Sequence, residues 1–270
     1  MPTLPSKQTV YFSKHLTAYK CWNNIKEALE TNGVSYGLLS NTKDIWARDY
    51  MPAYSNGHYI AYKYNPDYLQ QEKQYITENI DEVFDFSQDS IINTDLVIDG
   101  GNIIVGDNSI IMTDKVFVEN PHYTREQVVE IIEKSFSAKL IIIPWDTYEE
   151  YGHADGMVRF VSSDHVLINC YKDFDSQLRA KLLETQQPYF SKISELNYGK
   201  AYRTNSWAHI NYLQVDNLLF VPQLNITSDE YALEQLAHIF PNHKIVPVEV
   251  KGIVRNGGAL NCVSWNYFEI

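Results

Sequence analysis

Residues 124–143, TREQVVEIIEKSFSAKLIII, put Val128, Val129, Ile132 and Phe136 on one face of a helix and then run into a short apolar stretch, 140–143. Thr124 with Gln127 three positions later is a capping-box pattern, in which side chains satisfy the first free amides of a helix. The segment reads as a capped helix followed at once by a strand. The same kind of opening recurs along the chain. Ala18, Trp22, Ile25 and Leu29 follow Thr17, and Leu69, Ile76 and Ile80 follow Asp67. Leu178 and Leu182 follow Asp175, halted before Pro188; Leu233, Leu236, Ala237 and Phe240 follow Ser228, halted at Pro241. The five starting residues recur every 50 to 57 positions. Between them lie β-rich runs at 9–12, 59–64, 103–105, 110–112, 158–161, 166–169, 218–221 and 245–250. A helix with about three short strands per period predicts a closed α/β ring, a five-bladed propeller of pseudo-fivefold symmetry. It does not suit a doubly wound sheet with one strand per helix. No linker interrupts the pattern, so residues 1–270 are expected to form one domain of five repeats of about 50 residues.

Composition narrows the function classes. The chain has 270 residues, 44% hydrophobic and 21% charged, which is ordinary globular usage. No run approaches the roughly 20 apolar residues of a membrane span, and the first residues lack the pattern of a secretory signal, so a cytoplasmic protein away from membranes is expected. A net charge of −12 repels a phosphate backbone and attracts a small cation, so nucleic acid is not an expected partner. Cys21, Cys170 and Cys262 form no CxxC and are odd in number, which suggests neither a disulfide framework nor a thiolate metal site. Cys21 and Cys170 read as small buried hydrophobes; Cys262 follows the Gly257-Gly258 pair.

Five polar segments lie 29 to 36 residues after the five helix starts: Trp46-Ala-Arg-Asp49, Asp99-Gly-Gly-Asn102, Gly152-His-Ala-Asp-Gly156, Asn205 to Asn211, and Gly257-Gly-Ala-Leu-Asn-Cys262. Singly each has an ordinary explanation. Arg48-Asp49 suits an ion pair, Asp-Gly-Gly a hairpin turn, and His153 with Asp155 a partial metal site or a hydrogen-bonded turn. Together, one per repeat at nearly one phase, they are expected to converge on the axis of the ring as a single polar pocket.

WARDYMP, DGGN, GHADG and GGALNC, in that order, resemble the agmatine deiminase and Porphyromonas-type peptidylarginine deiminase family of the guanidine-modifying, or pentein, superfamily. The resemblance runs from about residue 9 to 265. It implies a five-bladed α/β propeller and a cysteine hydrolase that needs no metal or cofactor and acts on a small cationic guanidine. It makes Cys262 the nucleophile, His153 the acid and base, Asp49 and Asp155 the guanidinium clamp and Asp99 the partner of His153. Trp46, Arg48, Asn211, Gly257 and Gly258 are expected around the substrate, with Asn205 the alternative to Asn211. Self-association into a homo-oligomer is left open by the sequence.

The chain departs from agmatine-type members at Asp99, where they usually carry Glu, at Asn261, where they carry His, and in lacking their extra N-terminal segment. DGGN is closer to the peptidylarginine branch, which acts outside the cell and grips a peptide carboxylate with arginines. The residues after Asp49, as far as Gln74, contain no arginine. A carboxylate in this acidic pocket would need Lys63 or Arg203 to turn inward, so agmatine, whose far end is an ammonium, is the expected substrate. Trp46, Tyr64 or Trp207 could face that ammonium. Two other classes are weighed: a metallohydrolase using His153 and Asp155 as ligands, and a relative that binds guanidines or peptides without turnover.

Overall fold

In the computed structural model, residues 7–149, 151–172 and 174–269 are described. The chain passes through β1 (Gln8–Ser13), α1 (Trp22–Thr31), β2 (Tyr36–Leu39), α2 (Ala47–Tyr50), β3 (Ala53–Ser55), β4 (His58–Lys63) and β5 (Ile91–Val97). It continues through β6 (Ile104–Val105), β7 (Ser109–Thr113), α3 (Lys115–Glu119), α4 (Arg125–Phe136), β8 (Lys139–Ile143), β9 (Val158–Ser162), β10 (His165–Asn169), α5 (Ser176–Gln186) and β11 (Lys192–Leu196). It ends with β12 (Leu213–Val215), β13 (Leu218–Gln223), α6 (Ser228–Ile239), β14 (Lys244–Glu249), α7 (Lys251–Val254) and β15 (Ser264–Phe268).

These strands make five three-stranded sheets: β15-β1-β2, β3-β4-β5, β6-β7-β8, β9-β10-β11 and β12-β13-β14. In each, the first strand is antiparallel to the middle one and the middle one parallel to the third, as Ile104↔Ile111 and Ile111↔Ile141 illustrate. A tight turn suffices for the antiparallel step. Between β3 and β4 it is Asn56-Gly57, both at positive φ, the geometry that two-residue hairpins require. The parallel step needs a crossover, and four units use a helix for it. Pairing of β15 with β1 joins the two ends of the chain and closes the ring.

Each crossover helix packs on the third strand of the unit before it: α4 on β5, α5 on β8, α6 on β11 and α1 on β14. The apolar stripe of α4, Val128, Ile132 and Phe136, thus meets Ile60, Leu96 and Ile98 of the second sheet. Burying side chains of this size stabilises by about 1.5–3 kcal/mol each. Thr124 closes the capping box on α4 and Asp175 caps α5, as their sequence context suggests.

The second unit differs from the sequence expectation. Residues after Asp67 form no α-helix but three short 3-10 turns, 67–69, 73–75 and 80–82. Leu69, Ile76 and Ile80 are too sparse to make a continuous helical face, and the space is filled by rings. Phe84 lies 5.0 Å from each of Tyr11, Phe86 and Trp265, centroid to centroid. Two cap assignments also differ. Thr17 donates to Lys14 O inside a 3-10 turn rather than starting α1, and Ser228 is the first residue of α6, its hydroxyl accepting from Ser206.

Each sheet passes to the next through a short helical turn. Four are α2 and the 3-10 turns at 100–102, 154–156 and 206–209; the fifth is residues 257–263 after α7. These turns carry the five polar segments of the sequence.

Candidate active site

The turns bring Asp49, Asp99, His153, Asp155 and Cys262 together, at 4, 1, 8, 2 and 6% exposure respectively. His153 Nε2 lies 3.0 Å from Asp99 Oδ2, and its Nδ1 lies 3.8 Å from Asp49 Oδ1. Cys262 Sγ stands 3.4 Å from Asp155 Oδ2 and 3.3 Å from Asn211 Oδ1. Backbone amides set these acceptors: Gly101 N donates to Asp49 Oδ1 at 2.9 Å, and Asn261 N and Cys262 N both donate to Asn211 Oδ1. Glycine is required at 101 by proximity, since a Cβ there would lie 2.6 Å from His153 Nδ1 and 2.8 Å from Asp49 Oδ1.

Charge in this dry space is unbalanced, with three carboxylates around one imidazole. Burial opposes a charged His153, but Asp49, the hydrogen bond to Asp99 and the field of Asp155 outweigh it and raise its pKa to about 10. The imidazole is therefore an imidazolium at neutral pH. Burial, reinforced by Asp99 and Asp155, raises Asp49 to about 8 despite the counter-effect of His153. The Cys262 thiol is pushed well above its ordinary value, first by burial and then by Asp155 and Asp49. A cation entering between Asp49, Asp155 and Cys262 would offset the acidic surroundings that add to burial in raising Asp49 and Cys262.

The remaining sequence-predicted residues take several places. Asn211 is fully buried beneath the thiol, with its amide nitrogen left without a partner among the described residues. Asn205 lies outside the cluster, half-buried, its Oδ1 accepting from Thr204. Trp46 packs its ring on Gly258, and Tyr151 packs on Gly257, which has φ +93°. These two glycines thus make room for aromatic walls rather than offering groups of their own. Arg48 turns behind the site: its guanidinium donates to Asn261 O at 3.4 Å and Asn266 Oδ1 at 2.7 Å, and its backbone amide donates to Cys262 O. Its contacts hold the turn that carries Cys262 in place.

Several participants carried no sequence signal. Asn261, noted in the sequence only as a departure, donates to Asp155 Oδ2 at 2.7 Å. Glu149 accepts the amides of Tyr151, Gly152 and His153, fixing the loop before the histidine. Lys115, fully buried at the start of α3, reaches Tyr151 O. A lysine and a glutamate in ordinary helix and loop contexts have no motif, and only the ring closure reveals where they point. Lys63 pairs with Asp95 at the surface and Arg203 bonds Lys200 O and Tyr202 O, so neither turns inward. Tyr64 is buried against Tyr50, and Trp207 lies against Gly156. Among the described residues, no group of three or more His, Cys, Asp or Glu is disposed to hold a metal ion, and no helix is long and apolar enough to cross a membrane.

Known proteins agree with this architecture. The agmatine deiminase of Pseudomonas syringae pv. tomato is 25% identical over 206 residues, 62% of this chain and 56% of its own length. A Mycoplasma mycoides relative is 27% identical over 208 residues, 63% of this chain and 57% of its own. The chain thus spans a little over half the length of these relatives. Among solved structures, C. jejuni agmatine deiminase superposes with a TM-score of 0.77 at 18% identity, covering 100% of this chain and 95% of that one. That protein is also known as a cysteine-to-serine variant with substrate bound. An amidinotransferase from Microseira wollei shares the fold with a TM-score of 0.66 at 13% identity, covering 97% and 94%. The model of the Porphyromonas-type peptidyl-arginine deiminases matches residues 13–267, nearly the whole chain, and the chain belongs to that family.

Proposed function

We propose that the protein is a cysteine-dependent guanidine deiminase that hydrolyses agmatine to N-carbamoylputrescine and ammonia. The observation that carries this reading is the convergence of one buried thiol, one imidazolium and three carboxylates from four turns of the ring. A guanidinium is planar, cationic and resonance-stabilised, so its carbon resists attack by water. Asp49 and Asp155 would grip its N–H groups with charge-assisted bonds that fix the plane of the carbon. In the free site Asp155 and Asn211 face the thiol of Cys262; when substrate N–H groups take over Asp155, the thiol faces a cation instead and can lose its proton to solvent, and sulfur regains a proton when the C–S bond breaks at the end of the cycle. The thiolate adds to the guanidinium carbon to give a tetrahedral adduct. His153, held by Asp99, then protonates one nitrogen, and ammonia leaves as the C–N bond breaks, giving a thiouronium on Cys262. The imidazole, now neutral, takes a proton from water, whose oxygen displaces sulfur. The ureido product leaves and the site is restored.

The substrate's far end is assigned by charge. Lys63 and Arg203, two basic residues considered as partners for an α-carboxylate, face away from the site. Arg48 is engaged with Asn261 and Asn266. An ammonium suits what is left. The family name carries the second reading, deimination of arginine within peptides. Measuring ureido product from agmatine, free arginine and arginine-containing peptides separates them. The expected result is kcat/KM for agmatine at least about tenfold above free arginine, a difference of about 1.4 kcal/mol. Equal rates, or a preference for peptides, would overturn the agmatine assignment.

A further inference from the structure

Lys115 is the one buried lysine among the described residues, 0% exposed, and the reaction scheme gives it no task. Its Nζ donates to Tyr151 O at 2.6 Å and lies 3.0 Å from Asp67 Oδ1, 3.6 Å from Glu119 Oε1 and 4.0 Å from Asp99 Oδ2. The rings of Tyr68 and Trp145 stand 4.9 and 5.7 Å from it. Its stem runs against Gly152, where a Cβ would lie 2.7 Å from Lys115 Cδ. Gly152 has φ +67°, and Thr113, two residues before Lys115, donates to Gly152 O at 2.7 Å. One short stretch, 113–115, therefore holds both carbonyls that precede His153.

From this geometry we infer that Lys115 is a positioning residue for the deimination reaction: its ammonium clasps the Tyr151 carbonyl on one side and the Asp99 carboxylate on the other, fixing the His153 imidazole against Asp99. Both halves of the His153–Asp99 bond then refer to one internal cation. Burial works against a charge on Lys115, but Glu119, Asp99 and Asp67 outweigh it and raise its pKa, so the charge is retained. Without the ammonium, the Tyr151 carbonyl would lose a hydrogen-bond donor and the Asp99 carboxylate a cation 4.0 Å away. The loop carrying His153 would lose one of its tethers, keeping those to Thr113 and Glu149, while Asp49, on α2, would keep the Gly101 amide.

The test is Lys115→Met, which keeps the stem and removes the charge. Turnover of agmatine should show kcat lowered at least about tenfold and KM changed less than about threefold. The second readout is the downfield proton resonance of His153 Nε2–H in the substrate-free protein, assigned with Asp99→Asn and expected to broaden or vanish in Lys115→Met. An unchanged kcat with an unchanged resonance overturns the inference, and so does a rise in KM alone. If Lys115→Met does not fold, Lys115→Gln and Lys115→Ala are read in the same way. Loss of the fold in all three would make the lysine a structural residue and overturn it too. The inference rests on the deiminase reading for its kinetic arm only. Wild-type protein that turns over no guanidine sinks that reading, while the His153 proton still decides the role of Lys115.

Discussion

Asp49 is the residue on which the electrostatics of the site turn. It must be a carboxylate to grip a guanidinium, yet burial and its acidic neighbours raise its pKa to about 8. A raised pKa means that the free protein holds a proton there at neutral pH, and that proton must leave for the clamp to form. kcat/KM for agmatine should therefore climb as pH rises from 6 to about 8, the range in which His153, with its pKa near 10, remains protonated. Asp49→Asn should make that climb shallower, leaving only the part due to the Cys262 thiol, and lower kcat/KM by roughly a hundredfold or more, about 3 kcal/mol, because one side of a buried ion pair is lost. A flat wild-type profile between pH 6 and 8, or an Asp49→Asn enzyme of normal kcat/KM, would remove the residue from this role. At this scale much was legible in the sequence. Asp49, Asp99, His153, Asp155 and Cys262 stand out as acid, imidazole and thiol beside glycine, and all five lie in the cluster. The direction of Arg48 was not legible, because sequence shows its charge but not that the side chain turns back to Asn261 and Asn266. Lys115 was missed because nothing local distinguishes it from a surface lysine.

At the scale of elements, function depends on turns that are themselves held by buried pairs. The turn at 206–209, which leads to Asn211, is pinned to the start of α6 by His209. Its Nε2 lies 2.8 Å from Asp229 Oδ1 and its Nδ1 2.9 Å from Ser206 O. Both ring nitrogens face oxygen atoms, one on each of the two elements that the ring joins. Asp229 also accepts the amides of Leu224 and Ile226. Asp229→Ala would strand a buried histidine and two amides, at a cost on the order of 3–5 kcal/mol. Urea unfolding should show the lowered midpoint, and a loss under about 1 kcal/mol would contradict the assignment. The crossover helices were readable wherever the apolar stripe was dense, as in α4. The second unit was misread because Leu69, Ile76 and Ile80 form a stripe only on paper. The space that a helix would have filled is taken by Phe84 and Phe86 packed on Trp265, which comes from the far end of the chain.

On the scale of the whole molecule, the ring makes one site from five distant segments. Cys262 lies two residues before β15, and β15 pairs with β1 in the register Gln8↔Phe268 to Phe12↔Ser264. The position of Cys262, the proposed nucleophile, is therefore tied to the closure of the ring, while Asp49, Asp99, His153 and Asp155 come from the other turns. The period of the helix starts made this convergence legible, since a constant phase in a closed ring brings equivalent turns to the axis. Pairwise geometry was not legible, because distances such as 3.4 Å between Cys262 and Asp155 depend on how each turn is tethered. The central claim is that this assembly performs covalent chemistry at Cys262. Its most direct test is acid quenching of wild-type protein during turnover of agmatine, followed by mass spectrometry of the peptide bearing Cys262. The account predicts an adduct on that cysteine equal to agmatine less ammonia, absent from Cys262→Ser, which should bind agmatine without turning it over. Sustained turnover by Cys262→Ser, or an adduct on Cys21 or Cys170 instead, would contradict it.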